Sequence, residues 1–263
     1  MTHIWTPYGN AYASGSVYKF GSGSLACDGT GDYIQADDSS DWAFGSTWTI
    51  DFWARWTSLV GSGFSATANF IMAQYVNNSN FQWFGLNWSI SAWYMVYAAY
   101  PSAGGVSVVS NAITKPTYGS WYHVALVRDG STWYFFMNGV GVGTKTGAGP
   151  TPDYAAPMRI GGCPGLEGTS YKALNGYLDE FRISNVARWT SGFTVPSAAW
   201  EPDANTVVLL HFDEGASTPQ FKDFEWRDHT LDPTHVFVLA NRVNTPEGLW
   251  DIDEIVVGEY VAP

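Results

Sequence analysis

The chain has 263 residues, 46% hydrophobic and 17% aromatic but only 14% charged, a balance that excludes both a disordered tail and a coiled coil. Its formal net charge is −12, and nearly all of it lies beyond residue 200, where 13 acidic side chains face only Lys222, Arg227 and Arg242. The 12 Lys and Arg are scattered, which excludes the clustered cations that nucleic acid or an anionic membrane requires, and the longest strongly apolar run, residues 92–100, is too short to span a bilayer.

The opening residues, MTHIWTPYGN, have neither the basic start nor the apolar centre of a secretory signal peptide, and residues 1–16 read as an N-terminal arm. From there, short runs rich in Val, Ile, Thr and aromatic residues recur between clusters of Gly, Ser, Asn, Asp and Pro. That is the spacing of an antiparallel sandwich. The first predicted strands are 24–27 and 33–35. The Gly-rich stretch around them crowds Asp28, Asp32, Asp37, Asp38 and Asp41 together. Carboxylates grouped in this way suit a calcium ion, and they equally suit Asx turns and caps.

Residues 48–56 alternate Trp48, Ile50, Phe52, Ala54 and Trp56 against Thr49, Asp51, Trp53 and Arg55, so one face of this strand meets a core and the other meets water or a ligand. Strands at 69–75, 81–86 and 90–99 follow. Their aromatic run of Phe81, Trp83, Phe84, Trp88, Trp93, Tyr94, Tyr97 and Tyr100 exceeds what one core face can hold, because neighbours on a strand point to opposite sides. Rings on the second face can stack on sugars or pack under loops, and Trp83, Trp88, Trp93 and Tyr97 are the candidate glycan-binding residues.

Strands 121–129 and 132–137 flank Asp129-Gly130, and Asn138-Gly139 follows directly, so two consecutive hairpins are predicted from dipeptides that tolerate the positive φ of tight turns. Further strands are predicted at 158–160, 176–184 and 206–211. In 177–184 (YLDEFRIS), strict alternation sets Leu178, Glu180, Arg182 and Ser184 against Tyr177, Asp179, Phe181 and Ile183. Near the C-terminus, HVFVLANRV and WDIDEIVVGEYV flank a Pro/Gly-containing turn and read as a β-hairpin-like extension. Cys27 and Cys163 make no disulfide framework, and without a leader the compartment is expected to be reducing.

Taken in order, SGSLACDGTGDYIQADDSSDWAFGSTWTIDFWARW, GSWYHVALVRDGSTWYFFMNGV, MRIGG, LNGYLDEFRISNVARW and FTVPSAAWEPDANTVVLLHFDEG resemble a laminin-G-like domain of the concanavalin A-like lectin and glucanase superfamily. The resemblance implies an all-β, antiparallel jelly-roll sandwich of two curved sheets over residues 17–213, with the first strands pairing near YLDEFRIS. Residues 214–263 form an acidic C-terminal extension outside it. Family modules of this kind serve in glycan binding and adhesion on secreted enzymes, cell surfaces and bacteriophage particles, and often hold a structural calcium ion at the sandwich rim. Asp28 and Asp179 would share such an ion here. Cys27 stands where the family commonly has an aromatic residue.

A glucanase of this superfamily carries a Glu-x-Asp-x-Glu strand, whose alternate carboxylates share the cleft-facing side. The nearest run, Trp250-Asp251-Ile252-Asp253-Glu254, has the wrong phase, and Asp179 and Glu180 are expected on opposite faces. The histidines, at 3, 123, 211, 229 and 235, have no zinc-ligand spacing. The expectation is therefore a non-catalytic protein of a bacteriophage virion, either a head decoration or part of a tail appendage. Residues 214–263 would attach it to other virion proteins or to itself, and host-surface glycans are its candidate ligands, with neither nucleic acid nor membrane as partner. An exported or cell-surface lectin is the competing class, and a glycoside hydrolase the third.

Overall fold

The computed structural model describes residues 3–61, 67–89, 91–100, 105–147, 149, 151–168, 171–215 and 220–223; of the extension expected over 214–263, residues 216–219 and 224–263, with the predicted hairpin, lie outside them. Among the described residues, β1 (Ile4–Tyr8), β2 (Tyr12–Ser14), β3 (Ser24–Asp28) and β4 (Tyr33–Ala36) precede one 3-10 turn at Ser40–Trp42. The long strands β5 (Thr47–Ser58), β6 (Thr67–Asn77), β7 (Asn80–Ser89) and β8 (Ala92–Tyr100) come next, then β9 (Val106–Val109), β10 (Tyr122–Asp129), β11 (Thr132–Met137) and β12 (Val140–Thr146). The chain continues through β13 (Met158–Ile160), β14 (Tyr171–Lys172), β15 (Asn175–Ser184), β16 (Thr206–Leu210) and β17 (Phe221–Lys222).

These strands form two sheets. A nine-stranded sheet runs β17-β1-β4-β13-β6-β7-β8-β9, with β14 added to β6, and an eight-stranded sheet runs β12-β11-β10-β5-β15-β3-β2, with β16 added to β15. All pairings are antiparallel except β14 with β6. As the YLDEFRIS motif implied, β15 lies between β5 and β3, with Leu178 opposite both Ala54 and Leu25.

The inter-sheet core takes the predicted apolar face of β5, and Trp5, Trp42, Trp48, Trp56 and Trp133 are all within 1% of complete burial. Trp48 meets Trp133 edge-on with centroids 5.3 Å apart, a geometry the ring quadrupoles favour. The core also holds a polar chain, in which Tyr97 Oη donates to Gln82 Oε1, Gln82 Nε2 donates to Gln74 Oε1, and Gln74 Nε2 donates to the Ala156 carbonyl at 2.8 Å. Each buried amide is thereby given a partner, which removes most of the cost of its desolvation.

The expected N-terminal arm is instead built into both sheets. β1 pairs with β4 through Pro7 and Ile34, and β2 pairs with β3. Pro7 hid this strand from the sequence, since proline argues against a strand that must donate on both sides. It is tolerated because β17 pairs only with Ile4 and Trp5, so Pro7 lies beyond that short pairing.

A second departure is a bulge in β15. Asp179 stands opposite Trp53 but Arg182 stands opposite Asp51, so Glu180 and Phe181 together face Phe52, and Glu180 has a φ of 52°. The extra residue reverses the alternation that the sequence suggests. Leu178, Phe181 and Ile183 all enter the core, while Asp179, Glu180 and Arg182 all serve the outer face. Asp179 and Glu180 are therefore on the same side of the sheet, contrary to the expectation of opposite faces.

That outer face of β5, expected to meet water or a ligand, is covered by the chain itself. Residues 185–205 cross it as a strap, closed at its base by Asn185 N donating to the Asn205 carbonyl at 3.0 Å. Trp189, Phe193 and Trp200 of the strap pack around His123, and Asp51 and Trp53 are 0% and 5% exposed beneath it.

Candidate glycan-binding face

The outer face of the nine-stranded sheet carries the surplus aromatic residues. Strand alternation sends Phe84 and Tyr97 to the core and Phe81, Trp83, Val96 and Ala98 outward, where they join Phe70. Residues 161–168, a Gly- and Pro-containing loop after β13, fold over part of this face and bring Cys163 and Leu166 onto it. Tyr171, just beyond, stacks on Phe70 with centroids 5.4 Å apart and ring planes 5° from parallel.

Beside Tyr171 a groove of about 640 Å³ opens at the rim, lined by Gly29, Thr30, Glu167, Gly168, Tyr171 and Lys172 among others. Glu167 is the hinge of this arrangement. One of its carboxylate oxygens accepts from Cys163 N at 2.8 Å, and the other accepts from Gly31 N at 3.2 Å, tying the two loops together. Further along the same face, Tyr8 stacks on Tyr33 at 4.7 Å, and the Arg159 guanidinium lies 5.7 Å from the Tyr33 ring while its Nε donates to Gln35 Oε1 at 2.8 Å. Burial pushes the Tyr33 hydroxyl pKa up, and among the weaker influences Glu167 raises it too, so the tyrosine pair and the rim groove share one electrostatic neighbourhood. The face thus combines half-buried ring planes, a carboxylate, a lysine and glycine backbone. Together these offer stacking and both hydrogen-bonding roles to a polyhydroxylated ligand.

The four aromatic residues singled out from the sequence do not form this site together. Trp83 lies on the outer face but is only 3% exposed, edge-on to Phe70 and Tyr171. Tyr97 is fully buried between Trp48 and Trp133, and Trp93 is 4% exposed in the inter-sheet core, so neither presents a ring to a glycan. Trp88 is partly buried against that core, tilted onto Trp93 at 5.4 Å. Glu167, Tyr171 and Lys172 were missed. The sign available was the run CPGLEGTSYK, a turn-rich segment with a carboxylate, an aromatic and a lysine, the composition in which binding residues concentrate on loops.

Asp28 and Asp179 do not converge. Asp28 stands opposite Asn175, four residues along β15 from Asp179, a separation of roughly 13 Å at strand rise. Asp28 accepts from Thr30 N at 2.9 Å and Asn10 Nδ2 at 3.2 Å, while Asp179 accepts from Lys19 N, Phe20 N and Glu180 N at 2.6, 3.1 and 2.8 Å. These residues do not fit one shared calcium ion, and among the described residues no three His, Cys, Asp or Glu side chains group as metal ligands. Asp32 of the same loop accepts from Asn10 N and Asp28 N at 2.5 and 2.6 Å. Ser39 caps the 3-10 turn by accepting from Asp41 N, and the Asp41 carboxylate lies 3.1 Å from His3 Nε2.

Burial pushes the Asp179 pKa up to about 7, with the Glu180 carboxylate adding to the rise against the three backbone donors. Glu180 in turn accepts from Trp200 N at 2.7 Å and pairs with His211 Nδ1 at 2.7 Å. Burial, the largest single influence, works against protonation of His211, but the bond to Glu180 and the charges of Glu180, Asp213 and Asp179 together leave its pKa raised. Both thiols are free and buried, with burial pushing the Cys163 pKa up to about 11.

A family model described as the concanavalin A-like lectin/glucanases superfamily, of laminin-G type, matches residues 28–191. The chain belongs to this superfamily. A search of curated proteins returned no match. Among solved structures, this laminin-G-like sandwich is similar to the enzymatically active domain of tailspike protein 2 from bacteriophage CBA120, with a TM-score of 0.52 and 10% identity over 82% of this chain and 34% of that one. Domain 4 of the Geobacillus stearothermophilus arabinanase AbnA, in complex with arabinotriose, gives a TM-score of 0.49 and 15% identity over 70% of this chain and 82% of that one. The Ruminococcus gnavus sialidase module bound to sialyllactose gives 0.46 and 14% over 63% and 91%. At such identities the likeness is one of fold.

Proposed function

We propose that this laminin-G-like sandwich is a non-catalytic carbohydrate-binding module, with its primary site at the rim groove and the adjoining tyrosine pair. The observation that carries the reading is the groove of about 640 Å³ in which the Tyr171 ring, the Glu167 carboxylate and Lys172 meet on a lectin-type fold. A tyrosine braced from behind by Phe70 offers a rigid plane for a sugar ring, and Glu167 and Lys172 supply an acceptor and a donor for its hydroxyls. The non-catalytic part of the reading draws on the adjacent carboxylates Asp179 and Glu180. Both are 0–1% exposed and occupied by backbone N–H groups and His211, rather than presented to a glycosidic oxygen.

We further propose that the module is displayed on a bacteriophage particle, the setting of the CBA120 tailspike whose fold it shares. Glycan-array binding followed by titration calorimetry tests the first reading. Tyr171→Ala should weaken the best ligand by about 1–2 kcal/mol, roughly 5- to 30-fold, while the protein still unfolds cooperatively at a somewhat lower melting temperature, and no ligand should be hydrolysed. Undiminished binding by Tyr171→Ala, or release of reducing ends above a heat-killed control, would remove this reading. Antibody labelling of intact phage particles tests the setting, and its absence from purified virions would overturn that.

A further inference from the structure

A second cleft lies on the opposite side of the molecule, beneath the strap on the outer face of the eight-stranded sheet. It measures about 430 Å³ and is lined by Arg182, Arg188, Trp189, Thr194 and Trp200 among others. Its floor is a buried cation. Arg182 is only 2% exposed, and its Nε and Nη2 donate to the two Asp51 oxygens at 2.9 and 3.2 Å. The Trp200 ring centroid lies 3.5 Å from the guanidinium carbon, which holds the group in place by a cation–π contact. These two bonds to Asp51 use two of the five N–H donors in the guanidinium fork, all on one edge of it.

The charges of the lining have one sign. Arg188 supplies the second cation, held by a bidentate pair with Asp203 at 2.7 and 2.8 Å and by Ser184 Oγ at 2.6 Å, and among the described residues no acidic side chain lines the cleft. Asp51 and Asp203 hold the two arginines from outside that lining. Both guanidinium groups are already positioned by their carboxylate partners, and a ligand carboxylate reaching the edge of Arg182 away from Asp51 is the acceptor that makes the strongest hydrogen bonds with it. Trp189 gives the cleft an aromatic wall, itself stacked on Phe193 at 3.9 Å, and Thr194 places an exposed hydroxyl at its mouth.

We propose that this cleft binds the carboxylate of a sugar acid, with the edge of Arg182 away from Asp51 as donor and the Trp189 ring as the stacking surface. This site is separate from the rim groove, which belongs to the other sheet. It would let one sandwich hold an acidic glycan unit independently of the neutral-sugar chemistry offered at the rim.

Sodium glucuronate is the probe, titrated into the ¹⁵N-labelled full chain, with glucose and acetate as controls that lack the carboxylate and the ring respectively. Saturable shifts of the Trp189 and Trp200 indole N–H signals are expected with glucuronate, with acetate at least about tenfold weaker and glucose without effect. Arg182→Lys tests the donor directly, but it can disturb the buried pair with Asp51. Thr194→Trp fills the mouth from an exposed position and should weaken glucuronate about tenfold with the melting temperature unchanged. No saturable shift, equal shifts from glucose or acetate, or full binding by Thr194→Trp would each overturn the proposal.

Discussion

The two consecutive hairpins of β10, β11 and β12 contain a matched pair of glycines, which makes the anchoring of the strap measurable. Gly130 has a φ of 61°, and a methyl group added there meets nothing within 4 Å. Gly139 has a φ of 75°, but a methyl group there would stand 2.0 Å from the Phe193 carbonyl oxygen. Alanine at either position pays for a left-handed conformation, about 1 kcal/mol. At Gly139 the strap must also retreat, losing the 3.0 Å bond from Phe193 N to the Gly139 carbonyl and loosening the packing of Phe193 on His123 and Phe136. Those losses add about 2 kcal/mol. Gly139→Ala should therefore melt about 4–8 °C below Gly130→Ala for a domain of this size. Thermal unfolding followed by circular dichroism, with urea titrations at 25 °C, reads both. Equal destabilisation by the two substitutions would refute the anchoring role of this turn and the account of the strap that depends on it.

Other expectations concern the buried charges and thiols. Arg182 holds the Asp51 pKa below the usual carboxylate range despite burial, so Asp51→Asn should leave an unpaired buried guanidinium and cost about 3–5 kcal/mol in urea unfolding; a loss below about 1 kcal/mol would show that the pair is replaceable. Asp179 behaves in the opposite sense, because its folded pKa of about 7 lies above the unfolded value near 4. Its contribution is fully present below pH 4 and fades as pH rises to 7, so the stability of wild type relative to Asp179→Asn should fall by up to about 4 kcal/mol across that window, and a pH-independent difference would contradict it. Cys27 and Cys163, buried and with raised pKa values, should resist a thiol reagent at pH 7.5 until the protein is unfolded, and rapid native-state labelling would disprove their burial.

Much of the sandwich was legible because its signals are local. The alternation from Trp48 to Trp56 names the core face of β5, and the Asn138-Gly139 dipeptide adopts the two positive φ values, 51° and 75°, that its turn requires. Both are properties of neighbouring residues, and neither waits for the rest of the chain to fold. The β15 bulge is different, because a glutamate at positive φ is forbidden by no rule of periodicity and is favoured by none. It persists because Trp200 N and His211, both remote in sequence, hold the Glu180 carboxylate. The same holds for the candidate sites. Glu167 reaches Gly31 across 136 positions of chain, and Asp51 reaches Arg182 across 131, contacts that exist only once β13 has paired with β4 and β15 with β5. Composition and alternation therefore determined that the chain would form an antiparallel sandwich and which face of β5 would enter its core. Which loops and charges would meet over the outer faces was decided by tertiary pairing, since electrostatic and hydrogen-bond partners act through space at a few ångströms and leave no period in the sequence.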